Sequence, residues 1–359
     1  MLVFISLCAI LILSWSGVYA IRHLAERHNI LDIPNERSSH SISTPRGGGL
    51  AIVILTLAGV WLYFSLRPGL SGRSLVMYTI GGILVVAISW LDDLRSQAMS
   101  TRFAFHSIGA LLAMVGFGYL QFNSILAVGP VIAVTIGVMI TFMWIVGLTN
   151  AYNFMDGIDG IAASQAIVAG LAWAALGWIS SQPLIFVLGF LLAVSSAGFA
   201  IHNWYPARIF MGDVGSAFLG YTFAVLPLMF LSQLAGSERS PRTFLAVILP
   251  LWPFVFDSVF TFLRRLFLGE NVFSAHRSHL YQRLVIAGYG HRFVSLLYGG
   301  LAVVGAVLTI AWSLRLPNTL VVVTVLMPLL CLGLWGFVTR QEHKVTQRLL
   351  QAKYADDVR

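Results

Sequence analysis

The chain has 359 residues, 58% of them hydrophobic and only 10% charged, with a mean hydropathy of +0.85. A soluble domain carries roughly 45–50% apolar and about 25% charged residues, so composition excludes that class and leaves a polytopic membrane protein. The excess of 22 Lys and Arg over 14 Asp and Glu gives a net charge of +8. In a soluble protein that balance would point to nucleic acid; here the loops between spans must account for it first.

A membrane-spanning helix takes about 20 apolar residues. The first apolar run, near 2–21, resembles a secretory signal, yet no Lys or Arg precedes it while Arg22 and Arg27 follow, an order that favours a retained span with its N-terminus outside. Further runs lie near 47–66, 74–91, 103–121, 130–149, 162–180, 184–201, 214–234, 243–263, 293–313 and 317–339. Turn-forming residues at Gln121 to Pro130 and at Ser180 to Pro183 divide the longest uncharged stretches. The prediction is an all-α polytopic membrane protein of about eleven transmembrane helices, with an outside N-terminus and a cytoplasmic C-terminus. Cys8 and Cys331, far apart within apolar runs, supply neither a disulfide framework nor a thiolate metal site.

With that topology, 17 of the 22 basic residues fall on the cytoplasmic side, in loops 22–46, 92–102, 150–161, 202–213 and 264–292 and in the tail 340–359. Cytoplasmic loops are expected to hold Lys and Arg, so the basic balance reports orientation and calls for no nucleic-acid partner. Twelve of the 14 acids share that side, with Glu238 outside and Asp257 within a span. The rule does not require acids to follow bases, and their grouping predicts a polar site on the cytosolic face. The basic tail is expected to lie on anionic lipid.

The cytoplasmic segments carry the chemistry. Arg37, His40 and Arg46 precede Gly47-Gly48-Gly49 at the start of the second run; the glycines read either as an anion cradle of helix N-terminal N–H groups or as a close-packing turn. Asp92 and Asp93 end the third run. Acids at that depth call for a cation or a proton, or are solvated at the interface, and on a continuing helix adjacent carboxylates point about 100° apart, so divided roles are expected. After the fifth run, Asn150, Asn153, Asp156 and Asp159 recur every third residue with Gly157 and Gly160 among them, a wall of oxygens suited to Mg²⁺ or Mn²⁺ and to sugar or base contacts. Asp213, between Gly212 and Gly215, reads as a metal carboxylate or as a helix cap. His276, Arg277, His279 and Arg283 suit phosphate recognition or proton transfer, or a basic membrane anchor. Asp257 is either structural or part of an ion path, and with Asp92 and Asp93 it supports the alternative of a proton- or ion-coupled secondary transporter.

Together, Asp92-Asp93, Asn150 to Gly160, Gly212 to Ser216 and His276 to Arg283 resemble the polyprenyl-phosphate N-acetylhexosamine-1-phosphate transferases, in the family's order and across nearly the whole chain. The run His279-Leu280-Tyr281-Gln282 lacks consecutive histidines, which disfavours the phospho-MurNAc-pentapeptide branch of peptidoglycan synthesis; Arg37 to His40 and Pro45 to Gly49 look more like the branch that initiates O-antigen, lipopolysaccharide and related surface glycans. The resemblance implies one transmembrane transferase domain over 1–359 in the bacterial inner membrane, its active site facing the cytoplasm. It would join a GlcNAc-, FucNAc- or QuiNAc-type sugar-1-phosphate from a UDP-sugar to undecaprenyl phosphate, releasing UMP. Asp92, Asp93, Asp156 and His279 are then expected in catalysis; Asn150, Asn153, Asp159, Arg46, His40, His276, Arg277 and Arg283 in substrate binding; and Asp213 with Asn153 at Mg²⁺, or Mn²⁺ in its place. Undecaprenyl phosphate, a UDP-N-acetylhexosamine, membrane lipid and a second copy of the chain are the expected partners.

Overall fold

A computed structural model describes residues 2–34, 42–67, 72–121, 129–234, 241–272, 274 and 276–357. Helices occupy every predicted run: α1 (Leu2–Arg27), α2 (Leu50–Leu66), α3 (Gly72–Leu94), α4 (Met99–Phe117), α5 (Pro130–Met155), α6 (Ile161–Ile179), α7 (Pro183–Asn203), α8 (Asp213–Ser232), α9 (Pro241–Ile248) continued by α10 (Trp252–Phe267), then α11 (Leu280–Ile286), α12 (His291–Ser313) and α13 (Thr319–Asp357). Among the described residues nine helical stretches are long and apolar enough to cross a membrane, Thr243–Phe267 across α9 and α10 counted as one and α4 not among them, and Leu50–Leu66 is a shorter apolar helix. The protein is an all-α polytopic membrane protein. Its only described sheet is a two-residue antiparallel ladder, β1 (Leu31–Asp32) with β2 (Thr44–Pro45), pairing Leu31 with Pro45 and Asp32 with Thr44.

The structure differs from the sequence reading at several local points. Helix α5 continues through Asn150 and Asn153 to Met155, and α3 continues through Asp92 and Asp93, because neither stretch contains a proline or glycine to stop it. The ninth run is not one helix: a 3₁₀ turn at Leu249–Leu251 separates α9 from α10, where Pro250 and Pro253 remove backbone donors. The loop 264–292 contains α11, at whose start the Gln282 side chain reaches back to accept the His279 N–H at 3.3 Å. Finally, 340–357 is not a separate tail but the continuation of α13.

Helix α8 is the axis of the bundle. Every residue from Val214 to Leu231 is buried, against α3, α5 and, more lightly, α2. Lipid tails are as apolar as leucine, so association in a membrane relies on close packing of small residues. At the start of α8, a Cβ on Gly215 would stand 2.6 Å from Gly49 Cα; at its middle, a Cβ on Gly220 would stand 2.8 Å from the Leu148 carbonyl of α5. These contacts bring the first turn of α8 against the start of α2 and the ends of α3 and α5.

Candidate active site

The first turn of α8 is held by Asp93. Its Oδ1 accepts the Asp213 N–H and its Oδ2 the Val214 N–H, both at 3.0 Å. Two N–H groups that a helix start leaves without intrahelical partners are thus met by a carboxylate that the helix dipole also favours. Asp93 is 2% exposed; Arg46 lies 3.9 Å from its Oδ1 and donates to its backbone carbonyl. Gly212, at φ +75°, makes the bend that aims these N–H groups, and a Cβ there would meet the Asp93 carboxylate at 2.7 Å.

Asp92 points elsewhere. It accepts the Gln97 N–H at 2.6 Å and Arg102 Nη1 at 2.7 Å. The same Arg102 nitrogen lies 3.4 Å from Asp213 Oδ2, so one guanidinium links the two carboxylates. From α5, the Asn153 amide donates at 3.2 Å to Ser216 Oγ, which lies three residues after Asp213 at the start of α8. Asp156, just past the end of α5, is half-buried. Burial, and then the charges of Asp213, Asp93 and Asp159, raise its carboxyl well above the usual carboxylate range.

The structure therefore gathers Asp92, Asp93, Asn153, Asp156 and Asp213, with Arg46 and Arg102 as the basic residues paired to them. Asn150, one turn before Asn153, donates to the Val146 carbonyl at 2.8 Å. Among the described residues no group of three or more His, Cys, Asp or Glu side chains is arranged as a metal cage. Asp213 with Asn153 is the donor pair that could hold Mg²⁺, an ion that typically takes one or two carboxylates and fills its other positions with water and substrate phosphates.

Other predicted residues have different partners. Asp159 is buried and accepts the Ala207 N–H at 3.0 Å, with His291 Nδ1 at 3.4 Å. His279 places Nδ1 3.2 Å from Asp257 Oδ1. The His276 ring lies beside it, 5.1 Å between centroids and tilted by 34°, and hydrogen-bonds Ser278. Tyr281 ties this region to the acid cluster by donating to the Phe154 carbonyl at 2.9 Å. Arg277 lies in the same segment. Arg283 forms a two-point pair with Glu342 of α13. His40 lies outside the described residues.

Two sequence alternatives are decided here. Gly48 and Gly49 donate their N–H groups to the carbonyls of Phe210 and Met211 at 3.0 and 2.9 Å, and a Cβ on Gly47, at φ +96°, would stand 2.7 Å from Trp90. The glycine triplet is a packing turn, and its donors are not an anion cradle. Asp257, 0% exposed, accepts from Thr261, His279, Leu280, Tyr281 and Tyr298. Five donors saturate both oxygens, so this acid anchors α11 and offers an ion path no open oxygen. Arg102 and Ser216 were not singled out in the sequence; each lies within or just beyond a motif, but only the helix packing joins them to it.

Residues 75–231 match the model of glycosyl transferase family 4, a segment that contains the Asp92, Asn153, Asp156 and Asp213 cluster. The chain is 30% identical over 282 residues to a probable undecaprenyl-phosphate N-acetylglucosaminyl 1-phosphate transferase of Bacillus subtilis, covering 76% of this chain and 74% of that protein. It is 30% identical to a decaprenyl-phosphate N-acetylglucosaminephosphotransferase of Mycobacterium leprae, covering 81% and 80%. It is 25% identical to an undecaprenyl-phosphate alpha-N-acetylglucosaminyl 1-phosphate transferase of Escherichia coli O157:H7, covering 94% and 90%. Motif order, helical architecture and similarity over most of both chains agree, and the protein belongs to glycosyl transferase family 4, the polyprenyl-phosphate N-acetylhexosamine-1-phosphate transferases.

Proposed function

We propose that this protein transfers N-acetylglucosamine 1-phosphate from UDP-N-acetylglucosamine to undecaprenyl phosphate, releasing UMP, at the cytoplasmic face of a bacterial inner membrane. The observation that carries the reading is the meeting of Asp92, Asp93, Asn153, Asp156 and Asp213 from the ends of three helices. The sugar is drawn from the three relatives named above, each of whose names specifies N-acetylglucosamine; the orientation is drawn from the basic loops.

An oxygen of the lipid phosphate attacks the sugar-bearing phosphorus; the new P–O bond forms as the bond to the UMP oxygen breaks. A phosphate with a second pKa near 6 is mostly ionised at neutral pH, so the acceptor needs little help from a general base. Positioning and charge neutralisation carry such reactions. Asp213 and Asn153 would hold Mg²⁺, which when bound neutralises and orients the diphosphate. Asp93 sets the position of Asp213 through the start of α8, and the family resemblance assigns Asp156 and Asp159 to the donor nucleotide. His279, oriented by Asp257, and Arg277 grip the diphosphate and sugar, while Arg46 assists the lipid phosphate.

Purified protein supplied with Mg²⁺, undecaprenyl phosphate and a panel of UDP-N-acetylhexosamines should release UMP, fastest with the GlcNAc donor. Asp213→Asn should lower turnover by at least about a hundredfold, the scale of losing a charge-stabilising group, with folding intact by circular dichroism. No turnover with any donor contradicts the reading, and near wild-type turnover in D213N removes Asp213 from the metal.

A further inference from the structure

Arg102 stands on the first turn of α4, and a single guanidinium nitrogen reaches carboxylates on two other helices, Asp92 Oδ2 at 2.7 Å and Asp213 Oδ2 at 3.4 Å. One of these is the carboxylate assigned above to the metal, and the inference rests on that assignment. The two contacts are unequal. The Asp92 contact is shorter, Asp92 has a second donor in the Gln97 N–H, and its side chain is 12% exposed. The Asp213 contact is longer and that side chain is 32% exposed. Arg46, the other arginine here, engages Asp93.

A guanidinium and a divalent cation repel when both approach one carboxylate oxygen, so they compete for Asp213. The weaker contact gives way first. We propose that Arg102 is a built-in counter-ion of the metal-free site: it bridges Asp92 and Asp213 until a divalent ion arrives, then keeps Asp92 and turns its freed donors to a substrate phosphate. A guanidinium suits both tasks, because its five N–H groups form a fork that can bond a carboxylate on one edge and a phosphate on the other. The arrangement keeps the acids neutralised without metal and couples metal loading to the delivery of a phosphate-binding arginine.

Titration of substrate-free protein with Mn²⁺, followed by electron paramagnetic resonance, separates the claims. Arg102→Gln should bind Mn²⁺ about fivefold more tightly than wild type, the scale of one partly exposed ion pair, with Arg102→Lys in between. UMP release should fall about tenfold or more in R102Q, since a charge-assisted phosphate contact is lost. In EDTA, R102Q should melt below wild type and regain the difference on adding Mn²⁺. If R102Q does not fold, R102K carries the comparison. Mn²⁺ binding in these variants equal to or weaker than wild type, with binding lost in D213N, overturns the role of Arg102 and leaves Asp213 standing. Unchanged Mn²⁺ binding in D213N overturns the metal assignment itself.

Discussion

Asp92 and Asp93 are neighbours in sequence but serve different helices, because successive residues on α3 point about 100° apart: one carboxylate meets Arg102 and the other the start of α8. Replacing Asp93 by Asn should weaken two charge-assisted bonds and cost about 1–3 kcal/mol, read as a lower melting temperature together with reduced turnover. Asp156 gives a pH prediction. Its carboxyl is raised in the folded protein, so its protonated form favours folding. That contribution is complete below the unfolded value of about 3.9 and is lost as pH climbs through the raised native value. In EDTA the melting temperature should therefore decline as pH rises above the usual carboxylate range, and Asp156→Asn should flatten the decline; an unchanged slope contradicts this. The acids were legible in sequence because acids are rare in such a chain. The partners of Arg102 and Arg283 were not, since Asp213 and Glu342 lie 111 and 59 residues away and no local pattern joins them.

At the scale of elements, the site depends on how closely α2 and α8 approach. A methyl group on Gly215 would press on backbone, at 2.6 Å from Gly49 Cα and also 2.6 Å from Met211 Cγ. Gly215→Ala should cost about 1–3 kcal/mol from overpacking and reduce UMP release by shifting Asp213, two residues earlier. Tm and turnover checks would show both falling. Asp257 organises α11 in the same manner as Asp93 organises α8, a buried carboxylate accepting two N–H groups at a helix start. Asp257→Ala leaves buried donors unpaired at about 1–3 kcal/mol each, and should yield protein that unfolds on extraction, where Tyr298→Phe, which loses one donor, stays folded. The helices themselves were legible as apolar runs. The continuation of α5 past Asn153 was obscured because a series of polar residues reads as a loop when its neighbours are apolar, although nothing in it stops a helix.

Over the whole molecule, apolar composition identified a membrane protein but could not rank helices by depth, since faces turned to lipid and faces turned to protein are equally apolar. Only the structure distinguishes buried α8 from α1 and α13, whose apolar windows are each 11% buried. The charge count makes the orientation testable. With Gln97→Cys and Leu316→Cys introduced singly, an impermeant maleimide added outside intact cells should label the second and spare the first; the reverse pattern would invert the assigned topology. The reaction itself is tested most directly by donor labelled at the β-phosphorus. UDP-GlcNAc carrying that label, given with Mg²⁺ and undecaprenyl phosphate, should yield labelled lipid and unlabelled UMP, because the phosphate moves with the sugar. Label recovered in UDP, with unlabelled glycolipid, would mean transfer of the sugar alone and would contradict the account.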